Sequence, residues 1–196
     1  MPLPDLIAIE PLAAPVRAEV TVPGSKSVTN RAMVLAALAS GTTPLRGALW
    51  SEDTQIMAEA LRRLGFAIEV APDPDESSNR TIVVEGRGGM VPPGGSLAQP
   101  RDLDVGNAGT AARFLAALVC LGTGVYRLEG SPRMHERPQA DLFAALRELG
   151  YRIDAPNDRL PARIHGGGMR PGSCRVRIDQ SSQFASALLL SARAGG

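Results

Sequence analysis

Lysine is nearly absent from this 196-residue chain. Lys26 is the single lysine, and the other twenty of the 21 basic residues are arginines. An arginine side chain stays protonated in proteins, whereas a lysine can be tuned by its surroundings to donate or accept a proton. We therefore expect Lys26 to stand where an ammonium group has a task that a guanidinium could not perform.

Cysteines and long apolar runs are also scarce. Two cysteines, Cys120 and Cys174, are too few for a disulfide framework and form no C-x-x-C pair. Neither has metal-ligand spacing to His135 or His165, so no zinc site is expected. No apolar run reaches the roughly 18 residues that span a bilayer, and the first twenty residues lack the pattern of a signal peptide. These absences predict a cytoplasmic protein with reduced thiols, no membrane partner and no zinc site.

The overall composition is that of a soluble globular protein. Apolar residues make up 44% of the chain and charged residues 21%, values that allow a buried core. The formal net charge is +1, so no overall field draws the chain to nucleic acid.

The chain contains an internal repeat with an offset of about 80 residues. The first copy begins SKSVTNRAMVLAALASG and continues EDTQIMAEALRRLG, and the second begins NAGTAARFLAALVCLG and continues RPQADLFAALRELG. Arg31 in the first copy corresponds to Arg113 in the second. A third copy, SSQFASALLLSARAGG, starts at Ser181. Because such units bury their apolar faces against neighbouring units, the third repeat is expected to be truncated within a domain.

The patterns inside each copy predict an α/β fold of helix, strand, helix and three further strands. Alanine- and leucine-rich runs at Ala32–Leu38 and Phe114–Leu121 predict buried helices, and amphipathic helices are expected to end at Gly65 and Gly150. β-Branched runs predict strands at Phe66–Val70, Thr81–Glu85, Ala162–His165 and Arg175–Ile178.

The same patterns divide the chain. We expect residues 23–196 to form one incomplete domain, with repeats near 25–105, 106–179 and 180–196. Residues 1–22 belong to no repeat and contain two strand-like pieces, Leu6–Glu10 and Arg17–Val22.

Each copy opens its first helix with small, hydrogen-bonding residues. The three starts are residues 24–27, 106–110 and 180–183. Such residues are common N-caps, but they also leave backbone N–H groups free at the positive end of the helix dipole. Equivalent positions in a repeat should lie near one another, so the three starts predict a site for a ligand with several anionic groups. Lys26, Ser27 and Arg31 make the first start the most specific.

Two arginines have less certain roles. Pro138 suits the first position of a helix, which would place Arg137 at a helix start as a fork for carboxylate or phosphate. A salt bridge from Arg137 to Glu136 or Asp141 is the structural alternative. Arg113 lies on an apolar helix, and we favour a structural role in which it binds backbone carbonyls.

Four motifs resemble those of the 5-enolpyruvylshikimate-3-phosphate synthases. They are VPGSKSVTNRA from Val22, GNAGTAAR from Gly106, PRMHERP from Pro132 and SSQF from Ser181. Any one would be weak evidence, but they occur in the family's order and cover essentially the whole chain. The resemblance implies two domains, each built from three repeated units in an inverse α/β arrangement, that close over substrate. It also implies that residues 1–22 are strands of the other, carboxyl-terminal domain, and that the full-length protein is a monomer.

The resemblance assigns substrates and residue roles. It implies transfer of the enolpyruvyl group of phosphoenolpyruvate to the 5-hydroxyl of shikimate 3-phosphate, a glyphosate-sensitive step of aromatic amino acid synthesis. Implied shikimate 3-phosphate contacts are Lys26, Ser27, Arg31, Ser181, Ser182 and Gln183. Implied phosphoenolpyruvate contacts are Lys26, Gly109, Arg137 and Gln183, and Lys26 would also take part in proton transfer. No cofactor or metal is implied, and the chain alone should be inactive.

The chain departs from the family pattern at one position, and two other functions are possible interpretations of its motifs. Many relatives carry proline after the arginine of the second motif, where this chain has Phe114, which leaves inhibitor sensitivity open. A UDP-N-acetylglucosamine enolpyruvyl transferase would carry a loop cysteine shortly before Arg137-Pro138, and none is present there. A noncatalytic phosphate-binding module is the second rival.

Overall fold

The computed structural model describes residues 6–20 and 22–192. The first copy of the repeat forms α1 (Lys26–Leu38), β1 (Ser40–Leu49), α2 (Glu52–Leu64), β2 (Ile68–Pro72), β3 (Asn79–Arg87) and β4 (Arg101–Asp104). The second forms α3 (Gly109–Cys120), β5 (Thr123–Glu129), α4 (Pro132–Glu136), α5 (Ala140–Glu148), β6 (Arg152–Asp154) and β7 (Ala162–Gly167), and α6 (Gln183–Ser191) follows. The predicted α/β class and its helix–strand units are confirmed.

The strands form two sheets, one for each copy. Sheet A is antiparallel, with the order β1-β3-β2. Sheet B has the order β4-β5-β7-β6, in which β4 runs parallel to β5 and the other pairs are antiparallel. Because β4 comes from the first copy and pairs with a strand of the second, it ties the two copies together.

Helix α3 lies at the centre of the molecule. All twelve of its residues are buried, and it contacts α1, α2, α6, β5 and β7. A helix that is apolar all round is stable only inside a core, which is why its sequence lacks the amphipathic spacing of α2. Its largest fully buried side chains are Phe114, Leu115 and Leu118.

Several helix ends follow from local chemistry. Helix α2 begins with a capping box between Ser51 and Thr54 and ends at Gly65, whose φ of 104° is the left-handed conformation that glycine adopts readily. Helix α5 ends at Glu148 with Leu149 as its C-cap residue, and Gly150, whose φ is 86°, follows directly. Both amphipathic helices therefore end next to the predicted glycines.

Three predicted strands are absent from the described residues. Residues 6–20 form no strand and are exposed throughout, and Thr21 lies outside the described residues. Leu6–Glu10 and Arg17–Val22 are predicted as strands of a second domain, so that assignment stays a prediction. Arg175–Ile178 also lacks strand structure. A strand needs backbone partners, and β4, which precedes the second copy as 175–178 precedes the third, obtains them from β5. No strand is described after α6 that could serve 175–178 in the same way.

The described residues include no helix long and apolar enough to cross a membrane. The predicted glycine end of the third copy, residues 193–196, lies outside the described residues, as do residues 1–5. The assignment of residues 1–22 to another domain stays a prediction.

Candidate active site

The amino ends of α1, α3 and α6 converge, as the repeat predicts. The Arg31 guanidinium on α1 donates a 3.0 Å hydrogen bond to the Ser186 hydroxyl on α6, and it lies 5.2 Å from the centre of the Phe114 ring on α3. The Gln183 side-chain amide on α6 donates a 3.1 Å bond to the Thr110 hydroxyl on α3. All these residues belong to the first two turns of their helices, so the three starts form one surface.

The start of α1 is held against sheet A. A Cβ atom on Gly24 would overlap the backbone carbonyl oxygen of Gly47, so only glycine allows this approach. Ser25 is the N-cap residue, and its hydroxyl accepts a bond from a backbone N–H of the first turn. This arrangement leaves Lys26 and Ser27 exposed at the helix start.

Lys26 has a carboxylate partner that the sequence analysis missed. Its ammonium nitrogen lies 3.1 Å from both carboxylate oxygens of Asp53, in the first turn of α2. The adjacent turn is fixed by Thr54, whose hydroxyl accepts from Ser51 N and donates to the Leu49 carbonyl. The Lys26 side chain is 49% exposed and that of Asp53 21%, so the ammonium remains accessible while the carboxylate orients it.

Arg31 is held by three different contacts. Besides Ser186, its guanidinium donates a 2.9 Å bond to the backbone carbonyl of Ser27. The Phe114 ring, which is fully buried, supports its flat face in a cation–π contact. Phe114 therefore serves as an aromatic platform for an arginine of the candidate site.

The start of α6 brings three candidate residues together. Ser182 is the N-cap residue and makes no side-chain capping bond, whereas the Ser181 hydroxyl accepts from the backbone N–H of Gln183 at 3.2 Å. Ser182 is exposed and the other two are half-buried. Two hydroxyl groups and one amide are thus available beside the helix end.

Gly109 and Arg137 lie in contact, as their shared predicted role requires. A Cβ atom on Gly109 would overlap the Arg137 guanidinium. That guanidinium donates a 3.1 Å bond to the Asn107 carbonyl and has no carboxylate partner among the described residues. The N-cap residue of α3, Ala108, offers no side-chain cap, so backbone N–H groups and a guanidinium occur side by side.

The position predicted for Arg137 at a helix start is wrong. Arg137 ends the short helix α4, and α5 begins only at Ala140, so Pro138 lies between the two helices. The alternative of an Arg137 salt bridge is also wrong, because Glu136 pairs with Arg133. The capping of α4 by Ser131, which accepts from Met134 N at 3.2 Å, explains why a helix forms before the proline.

Arg113 anchors the structure through a backbone carbonyl, as predicted, and also reaches the site. Its guanidinium donates to the Pro138 carbonyl at 3.2 Å and to Gln183 Oε1 at 2.7 Å. Only 3% of Arg113 is exposed. Burial, and next the positive charge of Arg137, lower the pKa of Arg113 to about 10. The protein thus keeps a buried positive charge next to a second one, an arrangement that an anionic ligand would stabilise.

The cysteines lie away from the Arg137 loop. Cys120 is the last residue of α3, and burial raises the pKa of its thiol to about 12. Cys174 lies between β7 and α6, and burial, followed by the charge of Glu148, raises the pKa of its thiol as well. Neither is a thiolate nucleophile near neutral pH.

The chain is similar to known proteins over most of its length. The family model described as EPSP synthase (3-phosphoshikimate 1-carboxyvinyltransferase) matches residues 12–195. Over 97% of its length the chain is 47% identical to the 3-phosphoshikimate 1-carboxyvinyltransferase of Opitutus terrae, and over 95% it is 45% identical to that of Trichormus variabilis. The matched regions are 43% and 42% of those relatives, so the chain spans less than half of their length.

Solved structures show the same fold. The EPSP synthase of Acinetobacter baumannii superposes with a TM-score of 0.69 at 27% identity, over 88% of this chain and 37% of that protein. The enolpyruvyl transferase NikO of Streptomyces tendae superposes with a TM-score of 0.53 at 15% identity, over the same shares. At that identity the second likeness concerns the fold alone.

Proposed function

Because the chain belongs to the EPSP synthase family, we propose that it forms the amino-terminal half of a 3-phosphoshikimate 1-carboxyvinyltransferase. The reaction joins the enolpyruvyl group of phosphoenolpyruvate to the 5-hydroxyl of shikimate 3-phosphate and releases phosphate. The observation that carries the proposal is the convergence of three helix starts that bear the family's motifs. Their charge suits two phosphorylated, carboxylated substrates.

Shikimate 3-phosphate is held by the starts of α1 and α6. The hydroxyls of Ser27, Ser181 and Ser182 and the guanidinium of Arg31 offer hydrogen-bond donors to its phosphate and carboxylate. The bond between Arg31 and Ser186 supports this assignment, because it brings the two helix starts within reach of one ligand.

Phosphoenolpyruvate is held at the start of α3, where Gly109 and Arg137 are in contact. A glycine allows a ligand to approach the backbone closely, and the guanidinium adds a fork suited to phosphate or carboxylate. Lys26 and Gln183 lie between the two substrates and contact both. In the family, further contacts come from the carboxyl-terminal half.

The chemistry is addition followed by elimination. The 5-hydroxyl gives up its proton as its oxygen bonds to the phosphate-bearing carbon of phosphoenolpyruvate, and the methylene carbon gains a proton to become a methyl group. The tetrahedral intermediate then loses one methyl proton together with phosphate. Lys26 takes part in proton transfer, since its ammonium can exchange a proton near a bound anion. The arginines stabilise the charge on the departing phosphate.

A turnover assay tests the proposal. A protein of the relatives' length that carries these residues should release phosphate from phosphoenolpyruvate when shikimate 3-phosphate is supplied. UDP-N-acetylglucosamine should not replace shikimate 3-phosphate as acceptor. Calorimetry that shows shikimate 3-phosphate binding without phosphate release would instead support a noncatalytic phosphate-binding module. We also propose that this longer protein is a cytoplasmic monomer, which light scattering can check for oligomeric state.

A further inference from the structure

The side-chain amide of Gln183 lies across one turn of α3. Its oxygen accepts from Arg113 at 2.7 Å, and its nitrogen donates to the Thr110 hydroxyl at 3.1 Å. Residues three apart lie on the same face of a helix, so the amide bridges two neighbouring positions on α3. Arg113 and Thr110 are buried, with 3% and 5% exposure.

This contact fixes which end of the amide faces the ligand site. A guanidinium has only donors, so an amide nitrogen in contact with Arg113 would place donor against donor. The oxygen must therefore face Arg113, and the nitrogen points toward the amino end of α3, where Gly109 and Arg137 lie. The nitrogen carries two hydrogens, and in the described part of the chain only Thr110 accepts one of them.

We propose that Arg113 and Thr110 are positioning residues that present Gln183 to the substrates as a hydrogen-bond donor. This inference rests on the proposed function, in which Gln183 contacts anionic substrates. A freely rotating glutamine could offer an anion either its donor or its acceptor, and the second would repel it. Arg113 removes the wrong orientation without itself contacting a substrate.

Arg113 also links the loop that carries Arg137 to the start of α6. Its bond to the Pro138 carbonyl fixes the backbone next to Arg137, and its bond to Gln183 fixes the start of α6. Its ring neighbour Phe184, 5.3 Å away, lies directly after Gln183 and holds the guanidinium in place. One buried side chain thereby sets the spacing between two candidate phosphoenolpyruvate contacts.

A double-mutant cycle in the full-length enzyme tests the proposal. Arg113→Met and Gln183→Ala should each lower kcat/KM for phosphoenolpyruvate about tenfold or more, the effect of losing one hydrogen bond to a charged group. If Arg113 acts through Gln183, the double variant should be no worse than the poorer single variant. Thr110→Val, which removes only the amide contact, should give the same pattern if Arg113→Met fails to fold, and Thr110→Ser should restore activity.

Arg147→Met is the matched control. Like Arg113, Arg147 donates one hydrogen bond to a side chain, that of Asp158, and one to a backbone carbonyl, that of Ile153. Unlike Arg113, it lies away from the candidate site. It should leave kcat/KM unchanged. The positioning role would be overturned if Arg113→Met or Thr110→Val lowered kcat/KM by the same factor in the Gln183→Ala background as in the wild type, so that the two losses multiply.

A second readout does not depend on turnover. The side-chain amide NMR signals of Gln183 should move in Arg113→Met and in Thr110→Val and stay in place in Arg147→Met. Unmoved signals in both site variants would refute the positioning role even if the enzyme were active. A wild-type protein without phosphate release would refute the proposed function, while the NMR result would still decide the orientation of Gln183.

Discussion

The pair formed by Lys26 and Asp53 is better explained by orientation than by stability. Exposed ion pairs contribute about 0–1 kcal/mol to folding, and the Lys26 side chain is half-exposed. A carboxylate also disfavours anionic substrates by its charge, so its presence beside the site needs another reason. Holding a flexible ammonium at one position lowers the entropic cost of placing it against a substrate. The pattern S-E-D-T at the start of α2 marks a helix cap in the sequence, but it carries no sign of this contact.

Replacing Lys26 by arginine tests its proton-transfer role. In the full-length enzyme we expect Lys26→Arg to fold normally and to lose kcat by about 100-fold or more, the usual contribution of a positioned acid or base. The guanidinium keeps the charge but is bulkier and does not exchange its proton near neutral pH. Steady-state kinetics measure the loss, and Arg63→Lys, at an exposed pair with Glu59, is the control. Near-normal turnover would remove the proton-transfer role.

Replacing Gly109 by alanine tests the phosphoenolpyruvate contacts. The added methyl group would overlap the end of the Arg137 side chain, which can move more easily than the buried helix. We expect KM for phosphoenolpyruvate to rise about tenfold, as for one lost charged hydrogen bond, with KM for shikimate 3-phosphate little changed. Inhibition by glyphosate, which in this family competes with phosphoenolpyruvate, should weaken as well. Equal rises in both KM values would indicate a structural role for this glycine.

Among the elements, those whose ends depend on local chemistry could be predicted. Helices α1, α3 and α6 begin within the predicted starts 24–27, 106–110 and 180–183, and α2 is closed by Gly65 as predicted. Helix α4 was missed because its five residues are too few to show helical periodicity. Strand 175–178 was predicted from β-branched residues alone, whereas a strand also depends on a neighbour that the local sequence does not contain.

Two carboxylates of sheet B, Glu129 at the end of β5 and Asp154 on β6, predict a loss of stability in acid. His135 lies 2.6 Å from Glu129, and His165 lies 2.8 Å from Asp154. Burial alone would raise the pKa of Glu129, but hydrogen bonds from the Gly130 amide and from His135 outweigh it, so the pKa falls below its ordinary value. Hydrogen bonds from Arg152, and next from His165, likewise lower the pKa of Asp154 below its ordinary value.

A carboxyl group whose pKa is lower in the folded protein than in the unfolded chain stabilises the fold at pH values above its unfolded-state pKa. This stabilisation is lost as the pH falls through the folded-state pKa. We expect Tm to decrease between pH 5 and pH 3. Because both carboxylates are partly exposed, each should contribute no more than about 1 kcal/mol, or about 2–4 °C in Tm for a chain of this size. Calorimetry at several pH values checks this, and Glu129→Gln should show a shallower decrease. An unchanged slope in that variant would contradict the assignment.

For the molecule as a whole, the repeat predicted where the site forms but not which side chains contact one another within it. Helix starts at equivalent positions of a repeat must lie near one another, so their convergence could be inferred from Arg31, Arg113 and the run from Ser181. The contacts of Asp53, Thr110 and Arg113 could not, because each joins residues 27 to 73 positions apart. Such contacts depend on the packing of side chains in three dimensions.

The last prediction concerns the 196-residue chain by itself, which should bind shikimate 3-phosphate weakly and should not turn it over. All six proposed contacts for this substrate lie at two helix starts of this chain, yet the chain spans only about 43% of its relatives. In the family, closure by a second domain excludes water and completes the catalytic groups. Without closure the bound phosphate stays exposed to solvent, so binding should weaken steeply with salt.

Two measurements on this chain separate the possibilities. In an NMR titration with shikimate 3-phosphate, signals from the starts of α1 and α6 should shift, and the shifts should shrink as salt is raised. A phosphate-release assay with both substrates should give no product. Exposed apolar side chains on α1 and α6, Leu35 and Leu189, should also make the chain associate at high concentration, so the titration needs dilute samples. Phosphate release by this chain would show that catalysis does not need the rest of the family's length, and a titration without shifts would show that these helix starts do not form a binding site unaided.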